Sequence, residues 1–198
     1  MPIPSRQIGW STQDNLLWQI AKQMEQTGCQ LCDVNNNIQK IVSSEGRFFG
    51  SFYDTTDQTG LAGQRLTMTL NNSDPWNDGV SLVSGSQITI ANPGTYNIAF
   101  SAQLLKVNGN SNTHVHIWLS QNGTDVPWSA SQIGLPSNSI YTIAAWNFFF
   151  ETTTPNEYVE LLWEINSNVN NQTFIKSTSG NVNFPNIPGL IVTVNKVS

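Results

Sequence analysis

Between Ser139 and Glu151 the chain reads SIYTIAAWNFFFE, and this one run restricts the fold more than any other. Side chains in a β-strand alternate between two faces. Ile140, Ala144, Trp146, Phe148 and Phe150 then share one face, and Tyr141, Ile143, Ala145 and Phe149 share the other. A strand of an antiparallel sandwich ordinarily keeps one face dry and the other wet. Here both are apolar. Each aromatic brings roughly 150–250 Å² of surface, and large apolar patches are rare on soluble monomers. The second face therefore needs a cover. Two covers are open: another subunit, or a loop or arm of the same chain.

The rest of the chain from Arg47 onward repeats the period of two. In HVHIWLS, Val115, Ile117 and Leu119 oppose His114, His116 and Trp118. In EYVELLWEI, Val159, Leu161, Trp163 and Ile165 oppose Tyr158, Glu160, Leu162 and Glu164. Further strand-like runs, among them RFFGSFYD, QRLTMTL, GVSLV, SQITI, GTYNIAFSAQLL, TDVPWSA, QTFIKS and PGLIVTVNKV, are bounded by Gly, Pro, Asn and Asp. NPG at 92–94 and QNG at 121–123 supply residues that tolerate positive φ in tight turns. Charged residues make up only 11% of the chain, but seven Trp and nine Phe, with many β-branched residues, argue against disorder. Eight or more short strands with turn signals between them predict an all-β antiparallel sandwich or jelly roll over 47–198.

Residues 1–46 read differently, as a helical docking arm and linker. Ser11 or Thr12 can cap a helix, and Asp14 suits its first turn. Leu17, Ile20, Ala21 and Met24 fall on one helical stripe, which Leu16 and Trp18 widen. Gly28 is read as the C-terminal stop and the Asn-rich VNNNIQ as a linker or turn. A helix of about 16 residues is marginal alone in water. It must pack on its own domain, on sister copies or on a host particle.

The net charge is −5, with no basic cluster, so nucleic acid is not an expected partner. No apolar run approaches the ~20 residues that cross a bilayer, so membrane insertion is not expected. The N-terminus MPIPSRQIGW lacks the apolar core of a secretory signal, which points to assembly in a cytosol. Cys29 and Cys32 form one C-x-x-C. With no second pair and no βαβ setting, free thiols lead, ahead of an interchain disulfide or metal and of redox chemistry.

Catalytic patterns are sparse. His114 and His116 leave one strand face and are a minor candidate for a metal site near a symmetry axis. Asp54, Asp57, Asp74 and Asp78 read as solvated turn carboxylates rather than a calcium site. Glu160 and Glu164 lack the cleft that a glycosidase pair requires. Ser84-Gly85-Ser86 reads as a turn and not as a nucleophile elbow. Trp76, Trp128 and Tyr141 serve either packing or stacking on sugar rings. The chain is expected to be non-enzymatic and without a cofactor.

The run GVSLVSGSQITIANPGTYNIAFSAQL, then HVHIWLSQNGTDVPWS, AAWNFFFETTTPNEYVELLWE and PGLIVTVNKV, resembles the tumour-necrosis-factor and complement-globular-head superfamily. Gly94, Tyr96, Ile98 and Phe100 match its G-x-Y-x-[IVF]-x-[FY] strand, and Asn122 and Gly123 its x-N-G turn. Asn156 to Leu161 match its G-D-Y-V-E-L segment, with Asn156–Glu157 in place of Gly–Asp. The likeness spans roughly 47–197. It implies a ten-stranded jelly roll and a trimer packed through aromatic residues about a threefold axis, here Tyr141, Ile143, Trp146, Phe148, Phe149, Phe150 and Trp118. The arm STQDNLLWQIAKQMEQ is similar to N-terminal segments of bacteriophage structural proteins. That implies a virion setting, in which the arm would dock on a capsid or tail protein and the knob would be placed to meet a host glycan.

Overall fold

The computed structural model describes residues 12–44, 48–60, 62–107, 113–136, 141–166 and 172–197, with helix side chains described over 16–37. The expected cap Ser11, the side chains of Thr12 and Asp14, and Ile140 lie outside the described residues. The chain divides into two compact units, Met1–Gly46 and Arg47–Ser198.

The first unit is one helix, α1, spanning Thr12–Ser44, 33 residues long. This corrects both the expected stop at Gly28 and the expected VNNNIQ linker. Gly28 is absent from the glycines with positive φ, so it does not adopt the left-handed cap that ends a helix. A glycine within a helix costs about 1 kcal/mol relative to Ala, and Asn less. Continuing an existing helix across such residues is easier than nucleating another.

The second unit is an antiparallel sandwich. In its first sheet the long β7 (Gly94–Val107) pairs with β14 (Leu190–Lys196), which pairs with β1 (Phe49–Asp54), which pairs with β4 (Asn72–Ser73). β11 (Thr142–Thr152) also joins β7, from Thr142↔Leu104 to Thr152↔Gly94. At the other end of β7 lie β13 (Gln172–Ile175) and, beside it, β2 (Gln58–Gly60). The second sheet runs β10 (Ser131–Leu135), β8 (Thr113–Gln121), β12 (Glu157–Asn166), β6 (Gln87–Ile90) and β5 (Val80–Val83). β3 (Leu66–Thr67) adds to β12 and β9 (Thr124–Asp125) to β8. The described residues thus hold 14 strands, against about ten expected. β2, β4 and β10 escaped the sequence reading, and TDVPWSA reduces to β9. β2 and β4, of three and two residues, are too short to show a period, and the five-residue β10 reads SQIGL, with only Ile133 and Leu135 as large apolar side chains.

The alternation of the sequence becomes the core. Tyr96, Ile98, Phe100, Ala102 and Leu104 of β7 face Val115, Ile117 and Leu119 of β8 and Val159, Leu161, Trp163 and Ile165 of β12, all buried. Every member of this cluster lies between Phe52 and Val194, so the unit carries its own core. Trp163 is the largest fully buried side chain. Gly60 of β2 lies against it: a Cβ there would fall 1.8 Å from Ile165 Cδ1 and 2.8 Å from Trp163 Cη2. In the expected x-N-G turn, Asn122 and Gly123 have φ of 50° and 79°, the two positive angles of a hairpin turn matched to strand twist.

Two carboxylates differ from solvated turn residues. Asp54 is fully buried. Its Oδ1 accepts from the Thr56 amide and hydroxyl, and its Oδ2 from Gln58 Nε2 and Thr69 Oγ1. Uncharged donors thus satisfy the oxygens of a buried side chain. Asp57 pairs with Lys176.

Glu157 ties down the turn that precedes β12. The Thr154 and Thr153 amides donate to its Oε1 at 2.7 Å, and Gln121 and Asn122 donate to Oε2 at 2.9 Å. The Thr154 amide, then the Gln121 side chain, then the Thr153 amide and Asn122 hold its pKa at about 2, against an ordinary 4.5. A carboxylate whose pKa is depressed on folding stabilises the fold above its unfolded pKa, and the stabilisation fades as pH falls to its folded pKa. The contribution of Glu157 is therefore complete above about pH 4.5 and disappears towards pH 2. In Glu157→Gln the melting temperature will be lower than wild type at pH 7, and the gap will close between those limits. A gap independent of pH would refute this role.

Candidate functional site

The run that opened the sequence reading forms β11, whose only strand partner among the described residues is β7. It is an edge strand with one side of its backbone unpaired. Its two faces behave differently. Ala144 and Phe150 are buried in the core, and Trp146 and Phe148 pack against it. The Phe100 ring meets Trp146 edge-on at 4.6 Å and stacks on Phe148 at 6.2 Å. The buried Trp146 N–H has no hydrogen-bond partner among the described residues. The opposite face is bare: Ile143 and Phe149 are 65% and 63% exposed, and Tyr141 is also exposed.

The structure thus divides the residues expected at a trimer contact. Tyr141, Ile143 and Phe149 lie on the outer face of the first sheet. Trp146, Phe148 and Phe150 fill the sandwich interior, because the even-numbered positions of β11 point inward with Phe100 and Ala102. Trp118 sits in the other sheet, on β8. Its indole N–H donates to Asp125 at 2.8 Å, and the Arg65 guanidinium lies 5.8 Å above its ring. Arg65 in turn pairs with Asp125 at 2.8 Å. Intrachain partners therefore hold Trp118.

The bare face extends beyond β11 through the strand register. One row runs Ala145, Ser101, Ile191, Tyr53. The next runs Asn147, Ala99, Thr193, Ser51. Phe149, Asn97 and Asn195 continue the series. None of these residues is charged. Small side chains occupy the middle, and Ile143, Phe149 and Ile191 stand up around it, the last 40% exposed. Such a face presents a flat bed with apolar projections, and charge enters it beyond Phe149, at the exposed Glu151 paired with Thr95. Sequence reasoning found the β11 part of it. It missed the β7 and β14 part, because Ala, Ser and Thr carry no signal until register places them side by side.

The other expected sites stay apart. Trp76 is exposed in the loop after β4, and Trp128 is fully exposed in the loop between β9 and β10. No hydrogen bond or ring contact joins them. Trp128 adopts φ of 64°, a left-handed conformation that costs a bulky residue about 1–2 kcal/mol. Pro127 precedes it, and the Ser129 amide donates to the Val126 carbonyl at 3.3 Å. Trp128 thus occupies the turn position that favours Gly.

His114 and His116 lie on the outer face of β8, with a His116 ring nitrogen 2.9 Å from Gln132 Oε1. Among the described residues no three His, Cys, Asp or Glu come together. Glu160 accepts from Ser86 at 2.7 Å. A cleft of about 450 Å³ is bordered by Tyr53, Thr55, Ser177, Thr178 and the 185–188 segment, without a carboxylate, imidazole or thiol.

On α1, Leu16, Leu17, Ile20 and Met24 are exposed. Trp18 and Ala21 are half-buried, and Lys22 Nζ lies 5.6 Å over the Trp18 ring. Cys29 and Cys32 are free and exposed. Among the described residues no helix is long and apolar enough to cross a membrane.

No family model and no curated protein matches the sequence. Among solved structures, the chain is similar to Eiger TNF from S. frugiperda, at 8% identity and a TM-score of 0.48, over 77% of this chain and 93% of that one. It is similar to the globular domain of zebrafish complement 1qA, at 11% identity and a TM-score of 0.45, over 77% and 98%. Murine APRIL gives 7% identity and a TM-score of 0.45, over 77% and 100%.

Proposed function

We propose that this chain is a non-enzymatic structural protein that works by association. The unit Arg47–Ser198 is the exposed knob of a homotrimer. The arm carries it on a larger particle, a bacteriophage virion, as a head or tail fibre, spike or decoration component. The observation that carries this reading is the apolar patch around Ile143, Phe149 and Ile191 on the outer face of the first sheet, with Ile143 and Phe149 mostly exposed. Burying each such side chain is worth about 1.5–3 kcal/mol. The long apolar edge strand β11 is a further liability unless another chain covers it. Three copies bring three arms to one particle, so weak single contacts gain from effective concentration. The partners are two further copies and a capsid or tail protein, without nucleic acid or membrane insertion, and the reading needs no cofactor. The test removes the arm: a chain of residues 47–198 should keep its assembled mass and no longer join particles. Incorporation of that chain would overturn the docking role of the arm.

A second reading makes the knob an adhesin tip for a host receptor or glycan. It is favoured by Trp128, held in an unfavourable backbone conformation with its whole ring displayed. Backbone strain is often retained where a side chain has a binding role. Equal binding of wild type and Trp128→Ala to host cells would remove this reading.

A further inference from the structure

Once α1 is seen to run unbroken from Thr12 to Ser44, a spacing appears that a stop at Gly28 had hidden. Leu17, Ile20, Met24, Thr27, Leu31 and Val34 follow one another at steps of three and four in strict alternation, and the sequence continues the steps at Ile38 and Ile41. This is a heptad repeat with positions a and d occupied over more than three repeats. A helix lying on the flank of a globular core needs a broad stripe of period 3.6. A sustained period of 3.5 marks a narrow seam against another helix of the same period.

The described seam residues are bare. Leu17, Met24 and Leu31 at a are 61%, 70% and 64% exposed, and Ile20 and Val34 at d are 45% and 54% exposed. Thr27 is the one polar member, and its hydroxyl donates to the Gln23 carbonyl at 2.8 Å. That bond satisfies the hydroxyl within the helix. From Leu16 to Asn37 the flanking e and g positions carry no charge. Lys22, Glu25 and Asp33 fall at the outer positions f, b and c. Identical helices can therefore lie side by side without repulsion along the seam. Leu and Met at a with β-branched residues at every d favour more than two strands.

We propose that α1 forms a parallel, in-register coiled coil with the same helix of two further copies of this chain. The number three rests on the trimeric reading of the knob; the coil itself does not. In register, the Thr27 residues share one layer, and a slip would set a hydroxyl-bearing residue against Met24 or Leu31, or by a whole heptad against Ile20 or Val34. Cys29 and Cys32 fall at f and b, outside the seam, so sister thiols do not meet. The particle then meets the outer surface of the arm, with Trp18 at b and Leu16 at g, rather than the seam residues.

The test uses the full chain with Cys29 and Cys32 replaced by Ser. Leu31→Cys, at a, is compared with Gln26→Cys, at c, under mild oxidation. The expected result is a covalent dimer as the main species for Leu31→Cys and only single chains for Gln26→Cys. Equal crosslinking of the two would overturn the coil. Because Leu31→Cys can perturb the seam itself, Met24→Asp/Leu31→Asp provides a second measurement. Its helical circular-dichroism signal at 222 nm should fall by about half or more, and an unchanged signal would overturn the proposal. If crosslinking fails while residues 47–198 still assemble, the coil is wrong and the knob contact stands. If crosslinking succeeds while residues 47–198 are single, the coil stands and the knob contact is wrong.

Discussion

In the unit Arg47–Ser198, the double change Ile143→Asp/Phe149→Asp will abolish assembly at micromolar concentration while leaving the fold intact. Both side chains lie on the outer face of β11 and are mostly exposed in the single chain, so neither supports the core. In the assembly each would bury apolar surface worth about 1.5–3 kcal/mol. Their joint loss, about 3–6 kcal/mol per copy, raises the dissociation constant roughly 10²–10⁴-fold. Desolvation of two added carboxylates weakens it further. Sedimentation should show single chains, with a melting curve still cooperative. By contrast, Phe150→Asp strikes a core residue and should unfold the unit. A double variant that assembles as wild type would place the contact elsewhere.

The second large effect concerns the two sheets. Gly60→Ala will destabilise the fold by about 1–3 kcal/mol, the usual range for an overfilled core. The new Cβ would fall 1.8 Å from Ile165 Cδ1, and the close-packed interior cannot yield that distance cheaply. Ile165→Val deletes the clashing methyl and alone costs about 0.5–1.5 kcal/mol. The double variant should cost less than the sum of the two by about 1 kcal/mol, since neighbours that share one contact do not act independently. Chemical denaturation of the four proteins measures this. Strict additivity would mean that Gly60 is required for its backbone and not for the space beside Ile165 and Trp163.

The sandwich was legible where side chains announce their faces. Val115, Ile117 and Leu119 on β8, and Val159, Leu161, Trp163 and Ile165 on β12, take the buried positions that alternation assigned them. Asn122–Gly123 makes the turn that its chemistry favours. Legibility failed in three ways. In β11 both faces look alike as sequence, and only pairing with β7 shows that Trp146 and Phe150 turn inward while Phe149 turns outward. The outer face of the first sheet combines residues distant in sequence, such as Ser101, Ile191 and Tyr53, and no local period joins them. In the arm, Gly28 and Asn35 to Asn37 mimic a stop. The cost of each in a helix is small, and a pattern sustained over several turns outweighs them. Asp54 adds a related lesson: its neighbours Thr56, Gln58 and Thr69 bring enough donors to bury a carboxylate that a turn-like sequence suggests is wet.

The measurement that bears most directly on all of this is the solution mass of wild-type residues 47–198, taken by sedimentation equilibrium from high nanomolar to tens of micromolar. With the bare side of the first sheet closed by sister knobs, the mass should be three times that of one chain and hold steady over most of that range. A mass of one chain throughout, from folded protein, would contradict the account at its root.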